Sequence, residues 1–157
     1  MVIFFISIFP LKAFGEEKIS NDGVELAKGA RSAIMIEAST GQILYEKNKD
    51  EKLAMASMTK MMTLLLIMEE IEKGNLKWDE MVMASDYAAS MGGSQIFLEP
   101  GEKMSVEDLV KGICIASGND ASVAMAERIG GTEENFVRMM NDKAKALGLS
   151  NTHFENA

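Results

Sequence analysis

A serine and a lysine stand three residues apart in the otherwise apolar stretch 54–62, at Ser57 and Lys60. If Ser57 begins a helix, the two side chains share one helix face and are neighbours. Burial lowers the pKa of a lysine, and a neutral lysine can accept the proton of an adjacent serine and so create a nucleophile. The free N–H groups at a helix N-terminus suit the oxyanion that such an attack produces. The same pattern also fits a serine N-cap followed by a lysine that reaches solvent.

A second polar motif, Ser117-Gly118-Asn119, follows sixty residues after Ser57. It lies between two predicted helices, and a loop in that position can direct its side chains into a cleft. Taken alone, the motif also fits an ordinary Ser-Gly-Asn turn.

Together the motifs resemble the superfamily of penicillin-binding proteins and serine β-lactamases, whose signature is S-x-x-K, then S-x-N, then K-T-G. Three longer stretches resemble the D-alanyl-D-alanine carboxypeptidases, which are low-molecular-mass penicillin-binding proteins, in a form close to that of Gram-positive sporulating bacteria. These stretches are "SAIMIEASTGQILYEKNKDEKLAMASMTKMMTLLL", "GGSQIFLEPGE" and "LVKGICIASGNDASVAMAERIGG". The resemblance covers about residues 24–157.

The resemblance implies a role for each residue of the two motifs. Ser57 would attack the bond between the terminal D-alanines of a peptidoglycan stem peptide, and its backbone N–H would be one oxyanion donor. Lys60 would accept the serine proton, and Ser117 would pass a proton to the leaving D-alanine. Asn119 would bind the substrate amide and Lys60. A β-lactam would remain as a stable acyl-enzyme, and no cofactor or metal is implied.

The chain departs from the family pattern at two places. Ala54-Met55 stands where a proline is frequent, and no K-T-G occurs in the 157 residues. We therefore expect a truncated sequence, an N-terminal fragment that is inactive by itself. Two alternatives remain: a serine β-lactamase, although Gly118 stands where those enzymes usually carry aspartate, and a non-catalytic cell-wall binding protein of the same fold.

The order of predicted elements favours an α+β fold, a hairpin followed by a cluster of helices. Runs 33–37 and 42–46 flank a turn and predict the hairpin. Predicted helices cover 58–73, 106–116, 120–129 and 133–147, with Ser105 and Thr132 as N-caps. The first is apolar on all sides, which predicts a buried helix. No further strand is evident, so we expect a β-lactamase/transpeptidase-like antiparallel sheet that is incomplete here.

The first fifteen residues are almost wholly apolar and are followed by Glu16-Glu17. They fit the hydrophobic region of a signal peptide that is truncated at its N-terminus, since no basic residue precedes the apolar run. An N-terminal core segment is the alternative. We expect residues 16–157 to be the N-terminal part of an extracytoplasmic catalytic domain. Relatives often attach peripherally to the membrane through a C-terminal helix that this sequence lacks.

Charge and cysteine content narrow the function further. The net charge of −8, from 16 basic and 24 acidic residues, argues against nucleic acid as a partner. One cysteine and one histidine, Cys114 and His153, argue against a disulfide framework and against a zinc site with several such ligands. Because Cys114 lies in an apolar run, we predict that it is buried and structural.

Overall fold

The computed structural model describes residues 26–157, and the predicted signal peptide lies outside them. The chain divides into two compact units, residues 1–52 and residues 53–157. The first unit contains, in its described part, the antiparallel hairpin of β1 (Ala33–Ile36) and β2 (Ile43–Lys47). The predicted hairpin is therefore confirmed.

The turn of this hairpin is organised by the carboxylate of Glu37. It accepts hydrogen bonds from the hydroxyl of Thr40, from the backbone N–H and hydroxyl of Ser39, and from the backbone N–H of Thr40. These donors lower the pKa of Glu37 to about 2, and the hydroxyl of Thr40 has the largest effect. Gly41 then takes a positive φ of 74°, which glycine adopts without strain.

The second unit begins with a 3₁₀ turn, Ala56–Thr59, which leads into helix α1, Lys60–Glu72. The predicted helix exists and ends before Gly74, but the prediction that it is buried on all sides is wrong. Met62, Leu66 and Ile67 are buried, whereas Met58 and Met61 are 65% and 68% exposed. Since α1 packs against α4 and α5, the structure covers one face of a helix whose sequence is apolar on every face.

A second antiparallel pair is formed by β3 (Met81–Met83) and β4 (Lys103–Ser105), and the short helix α2 (Asp86–Ala89) lies between them in the sequence. The prediction that no strand follows the hairpin is therefore wrong. Strands of three residues are too short to establish an alternating pattern in the sequence. Residues 95–98, between α2 and β4, are irregular and pair with no strand among the described residues.

Three helices complete the unit: α3 (Val106–Ala116), α4 (Asn119–Gly130) and α5 (Glu133–Ala146). Both predicted N-caps are confirmed, because Ser105 Oγ accepts from the Asp108 N–H and Thr132 Oγ1 accepts from the Asn135 N–H, each at 3.1 Å. In residues 26–157 no helix is both long and apolar enough to cross a bilayer.

Helix α4 is the central helix of this unit. It packs against α1, α2, α3, α5 and β3. Seven consecutive residues at and after its first turn are buried, most of them small, which lets neighbouring helices approach closely: Asp120, Ala121, Ser122, Val123, Ala124, Met125 and Ala126. The start of α4, which carries the second motif, is thus held on several sides.

Cys114 is exposed, so the prediction of a buried cysteine is wrong. Ile113, one position earlier on α3, is buried, and successive helix positions point about 100° apart. The apolar run around Cys114 therefore extends beyond the buried face of α3, and a run of that kind does not show which of its members face the core.

Candidate active site

Ser57 lies in the 3₁₀ turn that precedes α1, and not in the α-helix itself. The preceding residue, Ala56, has a left-handed backbone with φ of 48°, a conformation that costs free energy for a residue other than glycine. Ser57 is exposed. Its Oγ accepts a hydrogen bond of 2.8 Å from Ser117 Oγ. The hydroxyl expected to act as the nucleophile is therefore accessible and already in contact with the second motif.

Ser117 occupies the junction between α3 and α4. It ends α3 in a left-handed conformation with φ of 55°, and its N–H donates to the carbonyl of Gly112. A left-handed residue at a helix C-terminus reverses the chain direction locally. In this way the short connection brings the Ser117 hydroxyl to Ser57 across sixty residues of sequence.

Lys60 is the first residue of α1, and it is only 7% exposed. Its Nζ donates a hydrogen bond of 2.6 Å to Oδ1 of Asn119. Burial lowers the pKa of Lys60 below its ordinary value, because a charged ammonium loses hydration there. In the part of the chain that the structure describes, Lys60 donates no hydrogen bond to Ser57. The site therefore consists of two hydrogen-bonded pairs.

Asn119 is the first residue of α4, and three of its polar groups form hydrogen bonds. Its backbone N–H donates to the carbonyl of Ser94, and its side-chain Nδ2 donates to the carbonyl of Gly92, both at 2.7 Å. Its Oδ1 accepts from Lys60. An ammonium only donates and a carbonyl only accepts, so the two partners fix which way the carboxamide points.

Asp120 is a site residue that sequence reasoning missed, since it was interpreted only as the start of a helix. Asp120 is 1% exposed, and its carboxylate accepts hydrogen bonds from the backbone N–H groups of Ile96, Leu98 and Ala121. Phe97, between the first two donors, has a left-handed φ of 60°. An aspartate in a first helical turn is common, and nothing local to it indicates a partner 24 residues upstream.

The four residues predicted from the sequence are thus brought together by the second unit. Ser57 and Lys60 lie at the start of α1, and Ser117 and Asn119 flank the start of α4. A hydroxyl pair beside a buried lysine with a lowered pKa is an arrangement suited to nucleophilic acyl transfer. Among the described residues, no group of three or more His, Cys, Asp or Glu side chains could hold a metal ion.

Comparison with known proteins agrees with this chemistry. The family model described as "Peptidase_S11: D-alanyl-D-alanine carboxypeptidase" matches residues 19–157, which is most of the chain. The chain belongs to this family.

Individual members of the D-alanyl-D-alanine carboxypeptidase family are similar over most of the chain. The D-alanyl-D-alanine carboxypeptidase DacF of Bacillus subtilis is 64% identical over 132 residues, 84% of this chain and 34% of the relative. The crystal structure of the carboxypeptidase DacD from Francisella tularensis matches with a TM-score of 0.80 and 47% identity, over 85% of this chain and 32% of the other. Penicillin binding protein 5 from Haemophilus influenzae matches with a TM-score of 0.77 and 35% identity, over 81% and 38%.

These similarities support the expected α+β, transpeptidase-like fold. The chain spans about a third of the length of the carboxypeptidases that it matches. The matched structures are penicillin-binding and carboxypeptidase proteins, as the resemblance in the sequence predicted.

Proposed function

We propose that the full-length protein is a serine-type D-Ala-D-Ala carboxypeptidase that removes the terminal D-alanine from peptidoglycan stem peptides. The observation that carries this proposal is the pairing of Ser57 with Ser117, at 2.8 Å, beside the pairing of Lys60 with Asn119, at 2.6 Å. Each pair joins a residue of one motif to a residue of the other. Membership of the carboxypeptidase family supports the same substrate class.

In the proposed reaction, Ser57 Oγ attacks the carbonyl carbon of the penultimate D-alanine while Lys60 accepts the hydroxyl proton. The lowered pKa of Lys60 supports this role, because only the neutral amine can act as the base. The C–N bond then breaks, Ser117 gives its hydroxyl proton to the leaving amine and regains one from protonated Lys60, and D-alanine departs. Water hydrolyses the ester on Ser57 and releases the shortened peptide.

Asn119 has a binding role in this proposal. Its carboxamide holds Lys60 in place and contacts the amide of the bound peptide, while the Ser57 backbone N–H donates to the oxyanion. In the present geometry Lys60 donates its hydrogen bond to Asn119 and not to Ser57. Hydrogen bonds between catalytic groups often shorten only when the substrate is bound, so a shift of the lysine towards Ser57 belongs to the substrate complex.

The proposed activity is tested by incubating the full-length gene product with a peptide that ends in D-Ala-D-Ala. We expect release of free D-alanine, and we expect a penicillin to block that release by forming a long-lived covalent adduct. Rapid hydrolysis of the penicillin with no D-alanine release would identify a β-lactamase instead. Absence of both reactions, with binding to peptidoglycan retained, would identify a non-catalytic cell-wall protein.

We also propose that the protein acts outside the cytoplasm, where peptidoglycan is found. The apolar residues 1–15, followed by Glu16-Glu17, support removal of a signal peptide near Gly15. Sequencing the N-terminus of the protein recovered from cells checks this. A mature N-terminus near residue 16 is expected, and a protein that retains residues 1–15 in the cytoplasm would contradict the proposal.

A further inference from the structure

The Asn119 carboxamide accepts the hydrogen bond of Lys60, and the orientation of this carboxamide depends on the backbone at Gly92. Its Nδ2 donates to the carbonyl of Gly92 at 2.7 Å, and this contact directs Oδ1 towards Lys60. If the carboxamide turned over, its NH₂ group would face the ammonium and two donors would oppose each other. The Gly92 carbonyl therefore selects the orientation that Lys60 requires.

The next residue, Gly93, approaches the carboxamide more closely than any side chain would permit. A Cβ atom at this position would lie 2.8 Å from Asn119 Nδ2, well inside van der Waals contact. Gly93 also has a φ of 82°, in the region that favours glycine. Two separate features, the conformation and the close approach, thus favour a residue without a side chain.

The loop that carries Gly93 is held to the start of α4 by hydrogen bonds to two consecutive residues, Asn119 and Asp120. The backbone N–H of Asn119 donates to the carbonyl of Ser94 at 2.7 Å. The buried carboxylate of Asp120 holds the N–H groups of Ile96 and Leu98. Because hydrogen bonds to a buried carboxylate are strong, this loop does not move away easily. A side chain at position 93 would displace the Asn119 carboxamide instead.

We propose that Gly93 is a positioning residue for the reaction: the missing side chain lets the turn hold the Asn119 carboxamide in the orientation that places Oδ1 on Lys60. This inference rests on the proposed acyl transfer at Ser57. Gly93 acts through Asn119 and has no contact of its own with the reacting atoms. The consequence is that enlarging residue 93 slows acylation by misplacing the lysine base.

The test compares Gly93→Ala with Gly101→Ala in the full-length gene product. Both glycines have nearly the same left-handed φ, 82° and 79°, but a Cβ at Gly101 meets nothing within 4 Å. Both variants therefore place an alanine at a similar left-handed φ, and only Gly93→Ala presses on Asn119. We expect Gly93→Ala to slow acylation by a fluorescent penicillin by about 10²-fold relative to Gly101→Ala, since displacements near 1 Å have that cost.

A double-mutant cycle with Asn119→Ala separates positioning from general damage. In the Asn119→Ala background the clash is gone, so Gly93→Ala should slow acylation no further. Backbone strain at the left-handed φ of position 93 is present in both backgrounds. Only the part of any loss in melting temperature that exceeds the loss in Gly101→Ala should therefore disappear in the Asn119→Ala background.

Three results decide the inference. Equal acylation rates for Gly93→Ala and Gly101→Ala would overturn it, while leaving the proposed function intact. The same additional loss of acylation rate from Gly93→Ala in both backgrounds would also overturn it. A wild-type protein that penicillin never labels would overturn the proposed function and the role of Gly93 with it.

Discussion

Replacing Ser57 with alanine is expected to reduce covalent labelling of the full-length protein by a fluorescent penicillin to background. The Ser57 hydroxyl is exposed and is hydrogen bonded to Ser117 at 2.8 Å, so it is available to attack a carbonyl. Without Oγ no ester can form, and the remaining groups can only bind the ligand. Release of D-alanine from a peptide substrate should stop together with the labelling.

The matched control is Ser90→Ala, which removes another exposed serine hydroxyl. Ser90 Oγ donates to the carbonyl of Tyr87, and neither residue belongs to the two motifs. This variant should be labelled at the wild-type rate. Labelling that persists in Ser57→Ala, with the adduct mapped by mass spectrometry to another residue, would show that Ser57 is not the nucleophile.

Replacing Lys60 with methionine is expected to slow acylation by about 10²–10⁴-fold, the usual contribution of a general base. Methionine is apolar and nearly fills the same volume, so the buried position at the start of α1 stays packed. The serine remains in place, and slow labelling of Ser57 should continue. The measurement is the second-order rate constant for penicillin acylation, determined for both proteins under identical conditions.

The dependence of acylation on pH supplies a second check on Lys60. Burial lowers the pKa of Lys60, so the neutral amine is available at a lower pH than for an exposed lysine, whose pKa is 10.5. As the pH falls through this lowered pKa, the amine gains a proton and acylation of the wild-type protein should slow. In Lys60→Met this limb of the profile should be absent.

The exposed lysine of α3 is the control for this series. Lys111 forms ion pairs with Glu107 and Asp108 at the surface, and exposed pairs of this kind contribute little to stability. Lys111→Met should retain both the wild-type rate and the wild-type pH profile. An acid limb that survives unchanged in Lys60→Met would assign the base to another group.

The sequence predicted the helices and turns that are specified by residues close to each other in the chain. Helix α3 has its predicted bounds, Val106–Ala116, because Ser105 supplies a side-chain cap and Ser117-Gly118 interrupts the helical run. The hairpin of β1 and β2 was predicted for the same reason, since two β-favouring runs flank a turn with Gly41. Caps and turns are decided by residues within four positions of each other, which a sequence displays directly.

Burial was the feature that local patterns predicted poorly. The apolar sequence of α1 predicted a helix covered on every side, but the packing of α4 and α5 covers one face and leaves Met58 and Met61 exposed. The buried helix is α4, whose sequence is less apolar but rich in small residues. Which face of a helix is covered depends on the neighbouring elements, and those lie far away in the sequence.

The same division between local and long-range signals applies to the candidate active-site residues. The sequence by itself determined which groups are present: a serine three residues before a lysine, and a Ser-Gly-Asn motif between two helices, in the order of the carboxypeptidase family. The resemblance to the family already implied a contact between Asn119 and Lys60. Only the tertiary structure paired Ser57 with Ser117, and it alone placed Gly93 against the carboxamide. The physical reason is that these contacts span tens of residues. They exist because α1 packs on α4 and because Asp120 holds the 92–98 loop, and no local pattern encodes either.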